Sequence, residues 1–272
     1  MALVKTEAVV LKSQKQGETS KILTLYTRHF GKIKLIAKGS RSLKSRYWGN
    51  LEPLNYIAVV FYQKENRELQ FLSQADIIRS YPGIRSSLGR TTLALAAGEL
   101  IARSEWGEAA NPLLFRLLLD TLEALDSTST GARNVFRSFQ IKFLEQAGFK
   151  PKLDRCLRCG SNRLAEASFI LEKGGYICGP CAAGHDYGVL LSPKALGLLR
   201  RVQNTGILEA GRIPLSAAVG KEMDLFLQAY LRFHLEGLPG LKSLEFLEKV
   251  SQGLKEAMVT PEAEVVEKNG RA

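Results

Sequence analysis

The sequence has no apolar run near the ~20 residues that a membrane-spanning helix needs. Stretches such as Leu93–Ala97 and Leu117–Leu119 stop far short of it. A secretory start is missing too, because Lys5, Glu7 and Lys12 interrupt the opening MALVKTEAVVLK, so a cytoplasmic location is expected. There is no phosphate loop: the nearest approach, Gly237 to Ser243, lacks the four-residue spacing and the glycine before Lys242. No GxSxG elbow occurs, and no cysteine lies outside one short stretch to act as a nucleophile. Acid is scarce where base is dense. From Thr19 to Leu51 there is none, and residues 1–50 offer only Glu7 and Glu18, too few to hold the metal pair of a nuclease or polymerase. These absences predict a binding protein rather than an enzyme.

What is present is a chain of 272 residues, 45% apolar and 24% charged, enough for one large or two modest domains and unlike a disordered polypeptide. A net charge of +11 favours a polyanionic partner such as nucleic acid or anionic lipid. Nearly all of that surplus is N-terminal, since residues 1–50 carry eleven Lys and Arg against the two acids. Lys32, Lys34, Lys38, Arg41, Lys44 and Arg46 crowd together and are followed at once by Tyr47 and Trp48. Cations release counterions from phosphates and exposed rings stack on bases, so the pattern suits single-stranded nucleic acid bound without strong sequence preference. A solvated strand face is the plain alternative for the charges, and a core plug for Trp48.

Strand-like runs AVVLKSQ, ILTLYT, KIKLIAK, YIAVVFYQ and ELQFLSQAD fill the first eighty or so residues, with turn signals at Gly17 and His29-Phe30-Gly31. Within KIKLIAK, Ile33, Leu35 and Ala37 alternate with Lys32, Lys34, Ile36 and Lys38, the period of a half-buried strand with a basic outer side. Five strands of this length predict an OB-type barrel over 1–81. After Pro82-Gly83 the composition turns helical: Ser87–Glu105, then a deeply buried helix capped by Asn111-Pro112, then Ala132–Ala147. Ser192-Pro193 opens a further helix, and Met223–Leu235 another. The expected class is α+β: a five-stranded barrel, a helical domain over 82–256 with an insertion near 152–190, and a mobile tail over 257–272.

All four cysteines lie in that insertion, as Cys156-Leu-Arg-Cys159 and Cys178-Gly-Pro-Cys181. Two residues between paired thiols let both sulfurs face one centre, and the residues around Gly174-Gly175 read as a hairpin that returns the second pair to the first. One structural zinc ion with four sulfur ligands is predicted; disulfides or redox dithiols are the rival readings, with His185 a substitute ligand. His29 and His234 have no evident partner in the sequence.

The segments GETSKILTLYTRHFGKIKLIAKGSRSLKSR, AGFKPKLDRCLRCG and GGYICGPC occur in the order found in the RecO family of bacterial recombination mediators, which the chain resembles over nearly its whole length. The resemblance implies an OB-fold, a helical domain and a zinc element on the four cysteines. It places DNA contact on Lys34, Lys38, Arg41, Lys44 and Arg46. It also implies annealing of complementary single strands and, with the partner RecR, loading of RecA onto DNA coated by single-strand-binding protein, in a nucleoid-associated setting. Double-stranded DNA is a further possible ligand. The helical domain would receive the acidic tail of single-strand-binding protein, with Arg103, Arg116, Arg133, Arg137 and Lys142 as undifferentiated anchors. The competing reading is an RNA-binding module, such as a ribosome-associated OB protein with a zinc ribbon.

Overall fold

The computed structural model describes every residue except 1, 43, 48, 66, 105–107, 183–187, 236–239, 247–248 and 251–272. Strands β1 (Ala2–Gln16), β2 (Ser20–Thr27), β3 (Gly31–Ala37), β4 (Tyr56–Gln63) and β5 (Leu69–Arg79) close a barrel in the order β1-β2-β3-β5-β4. All pairings are antiparallel except β3 with β5, where Lys34, Leu35 and Ile36 lie parallel to Leu69, Gln70 and Phe71. β1 is long enough to serve two neighbours. Its first half pairs with β4 and its second with β2, and the register shifts between Val10 and Lys12, where a barrel strand must bend. This is the OB-like ring expected from the five runs.

The alternation along β1 decides how the barrel joins the rest of the molecule. Ala8 and Val10 belong to the barrel interior with Leu23, Leu25, Leu35, Ile57, Val59 and Phe61. Val9 and Leu11 belong to a second core shared with the helices. That core is built on α2 (Leu88–Arg103), α3 (Pro112–Ser127) and α4 (Ala132–Gln146), which follow the one-turn α1 (Pro82–Arg85). At the joint, the Phe115 ring lies 6.1 Å from that of Tyr26 and 6.2 Å from that of Tyr56. Burying a side chain of this size stabilises the joint by about 1.5–3 kcal/mol.

Helix starts follow their capping signals. Asn111 accepts from the Leu114 amide at 3.0 Å, and Ser192 accepts from that of Ala195 at 3.2 Å ahead of α5 (Pro193–Gln203). α6 (Ile207–Ala210) is a single turn, and α7 (Ala217–His234) begins six residues before the expected Met223, because Ser216 caps it through the Val219 amide. In α3, Leu114, Phe115, Leu118, Leu122 and Leu125 are buried as expected, but Leu113 is 66% exposed, so the helix has an outer side. The insertion carries β6 (Ala167–Ile170) and β7 (Gly175–Cys178) as the expected hairpin, and β8 (Val189–Leu191), which the sequence did not announce, pairs with the outer side of β6. No helix among the described residues is long and apolar enough to cross a membrane.

Candidate nucleic-acid interface and metal centre

The basic segment divides in two. Lys32 turns towards the helical domain: its ammonium donates to the carbonyls of Ala102 at 3.1 Å and Ser104 at 3.2 Å and lies 3.4 Å from Glu108, with the side chain only 15% exposed. It neutralises the negative end of α2, so the outward basic face predicted for this strand begins at Lys34. Lys34 is half-exposed and ion-paired with the exposed Glu68. Lys38, just past β3, sits over the Phe71 ring at 4.9 Å, and Arg67 covers the same ring at 5.2 Å. Arg46 reaches the Ser73 carbonyl at 2.6 Å and lies over the Tyr47 ring. Arg41 bonds the carbonyls of Gly17 and Glu18 in the β1–β2 turn at 2.9 and 2.8 Å. Lys44 is exposed, with no side-chain partner among the described residues.

The exposed rings are not the ones the sequence suggested. Tyr47, expected to add stacking surface, is 6% exposed and its hydroxyl donates to the Ser73 carbonyl at 2.9 Å. Trp48 lies outside the described residues. The aromatic surface comes instead from Phe71 and Tyr62, opposite each other in the β4–β5 register, with Tyr62 37% exposed. Phe71 and Arg67 escaped the sequence reading because only the parallel closure of β3 on β5 brings them beside Lys38. A cleft of about 930 Å³ continues from this face towards α2, with Lys34 and Arg67 on its barrel wall and Arg103 and Lys242 opposite. The surface can hold phosphates by charge and a base by the π-face of Tyr62, beside the cation-flanked Phe71.

The cysteines converge as their spacing predicts. One sulfur from each of Cys156, Cys159, Cys178 and Cys181 lies within 4.8 Å of the others, and the Cys159 and Cys178 sulfurs are 3.8 Å apart. Zinc–sulfur bonds of about 2.3 Å in a tetrahedron require sulfurs about 3.8 Å apart, so the cluster has the right size for that ion. Amides of Arg158 and Cys178 donate to the Cys156 sulfur at 3.4 and 3.3 Å. Burial pushes the Cys156 thiol up, but these amides and that of Cys159 outweigh it and bring it down to about 6. Cys181 is pushed up to about 12 by hydrogen bonds with the sulfurs of Cys159 and Cys178 and by burial. For all four sulfurs to be thiolates so close together, a cation must lie between them. His185 lies outside the described residues. His29, expected to lack a partner, has its Nδ1 3.2 Å from the Thr6 hydroxyl, and the ring of His234 stacks on Phe149 at 4.2 Å.

A five-stranded OB-like barrel, joined through one apolar core to a helical domain that bears a four-cysteine cluster able to hold a metal ion, defines the class of molecule. Residues 1–81 match the family description Recombination protein O N terminal, and residues 85–245 match Recombination protein O C terminal. The chain is 34% identical to the DNA repair protein RecO of Dehalococcoides mccartyi strain 195 over 249 residues, 91% of this chain and 96% of that protein. It is similarly 34% identical to that of Pelotomaculum thermopropionicum over 253 residues, 93% and 96% of the two chains. With the RecO of Bacillus pumilus it shares 31% over 255 residues, 92% and 98%. The chain belongs to the RecO family of DNA repair proteins.

Proposed function

We propose that the protein is a non-catalytic recombination mediator that holds single-stranded DNA on the β3–β5 face of its barrel, the loop after β3 and the adjoining β1–β2 turn, through Lys34, Lys38, Arg41, Lys44, Arg46 and Arg67. The observation that carries this reading is Phe71 flanked by Lys38 and Arg67 on the outer face of an OB-like barrel. Lys32 is left out of the contact set, because its ammonium is engaged by the end of α2. Annealing follows from electrostatics: cations that neutralise phosphate charge lower the repulsion between complementary strands, so pairing accelerates without nucleotide hydrolysis.

In this reading RecR binds the protein, the helical domain receives the acidic tail of single-strand-binding protein, and RecA is loaded onto the strand so exposed. One zinc ion, held by Cys156, Cys159, Cys178 and Cys181, shapes the insertion. All four ligand positions are filled by protein, which leaves none for water or substrate. The test is annealing of complementary oligonucleotides precoated with single-strand-binding protein, with and without this chain. Acceleration lost in a Lys38→Ala/Arg41→Ala variant is the expected result, and equal rates with and without the protein would overturn the proposal.

A further inference from the structure

A second cationic groove lies in the helical domain, on surfaces that play no part in the barrel face or the cysteine cluster. It encloses about 1180 Å³ between the start of α2, the turn before α4, the loop over 211–215 and the first half of α7. Arg90, Arg133, Arg137, Arg212 and Lys221 line it, against one carboxylate, Asp224. That carboxylate is already occupied. Arg137, whose side chain is only 4% exposed, donates to both of its oxygens at 2.7 and 2.8 Å, and Arg133 approaches at 3.4 Å. Among the described residues Arg90 donates to neutral oxygens alone, the carbonyls of Asp126 and Thr128 and the Ser86 hydroxyl, and has no carboxylate partner. The side chains of Arg212 and Lys221 are exposed, with no hydrogen bond or ion pair among the described residues. The α4 and α7 N-termini also open on the groove and add positive potential, α4 without a side-chain cap at Gly131.

We infer that this groove is a second binding site for a single-stranded polynucleotide backbone. Arg133 and Arg137 meet at Asp224, but Arg90, Arg212 and Lys221 stand apart from that cluster on α2, a loop and α7, the distribution that a chain of successive phosphates requires and a single carboxylate does not. Gly131 and Gly211 meet backbone to backbone in the lining, so closely that a Cβ on Gly131 would lie 1.8 Å from the Gly211 carbonyl oxygen. The inference rests on the annealing function proposed above and deepens it, since one chain would then hold two strands at once.

The discriminating variant is Arg212→Glu/Lys221→Glu, whose side chains hold nothing else in place, with thermal melting as the check on folding. Six-nucleotide oligothymidylate, short enough to occupy one site, is titrated at low salt and bound copies are counted by native mass spectrometry. The wild-type chain is expected to bind two and the variant one, with at least a tenfold slower annealing rate. A Lys38→Glu/Arg41→Glu variant should also bind one, retained in the groove. Two copies on the groove variant, or annealing at the wild-type rate, would overturn the inference while leaving the barrel site standing. Loss of binding of a six-residue polyglutamate peptide with both oligonucleotides retained would overturn it too, by assigning the groove to an acidic protein segment. Failure of the wild-type chain to anneal would instead count against the proposed function, and the oligonucleotide count would still decide the groove.

Discussion

Lys32 and Lys38 belong to one basic run, yet their side chains meet opposite environments. The first is drawn onto the carbonyls ending α2 and the second lies over an aromatic ring on the barrel surface. Lys32→Ala should therefore destabilise the fold by about 1.5–3 kcal/mol, the range for hydrogen bonds to a charged group. Affinity for single-stranded DNA should change less than twofold, as urea melts and fluorescence anisotropy on the same sample would show. His234 gives a pH-dependent counterpart. Burial holds its pKa below the ordinary 6.5, and its Nε2 is buried with no hydrogen-bond partner among the described residues. The folded state thus prefers the neutral ring. This contribution is fully present above pH 6.5 and is lost as pH falls through the depressed value, because the unfolded chain takes up the proton first. Thermal melts from pH 7 to pH 5 should show a smaller loss of Tm in His234→Phe than in the wild type. The sequence could not separate such residues. Lys32 and Lys38 share the same strand parity, and only the position of α2 distinguishes them.

At the scale of elements, local chemistry was legible and long-range closure was not. Asn111-Pro112 and Ser192-Pro193 mark helix starts because the cap and the proline act within four residues. The Cys-x-x-Cys pairs announce the metal cluster for the same reason. The parallel pairing of β3 with β5, which creates the aromatic strip, joins segments more than thirty residues apart and leaves no local trace. The same holds for the short β8 and for the early start of α7, where Ser216 gave no proline signal. Cys178→Ser should reduce metal content from about one atom per chain to nearly none and lower Tm by at least about 5 °C, since metal binding and local folding are one equilibrium. Elemental analysis with calorimetry checks both, and unchanged Tm after metal loss would make the site peripheral. Gly131→Ala should cost more than about 2 kcal/mol, because Gly131 has φ +73° and its missing side chain lets the α4 start touch the Gly211 carbonyl. Poor recovery of soluble protein or a large fall in Tm would show it.

Across the whole molecule, the charge asymmetry read from the first fifty residues becomes a surface only because the barrel gathers β3, β5 and the loop after β3 on one side. The helical domain adds a positive groove that composition could not reveal, since its five cations come from residues 90–221 and are diluted there by acids facing elsewhere. Phosphate binding by such surfaces must release counterions. The most direct measurement is single-stranded DNA affinity across a salt series, for the wild type and for Lys38→Ala/Arg41→Ala. A log–log slope of about 0.7 per phosphate contact, shallower in the variant by about 1.4, is the predicted result. An affinity indifferent to salt, or a variant with the wild-type slope, would contradict the assignment of the barrel face to nucleic acid.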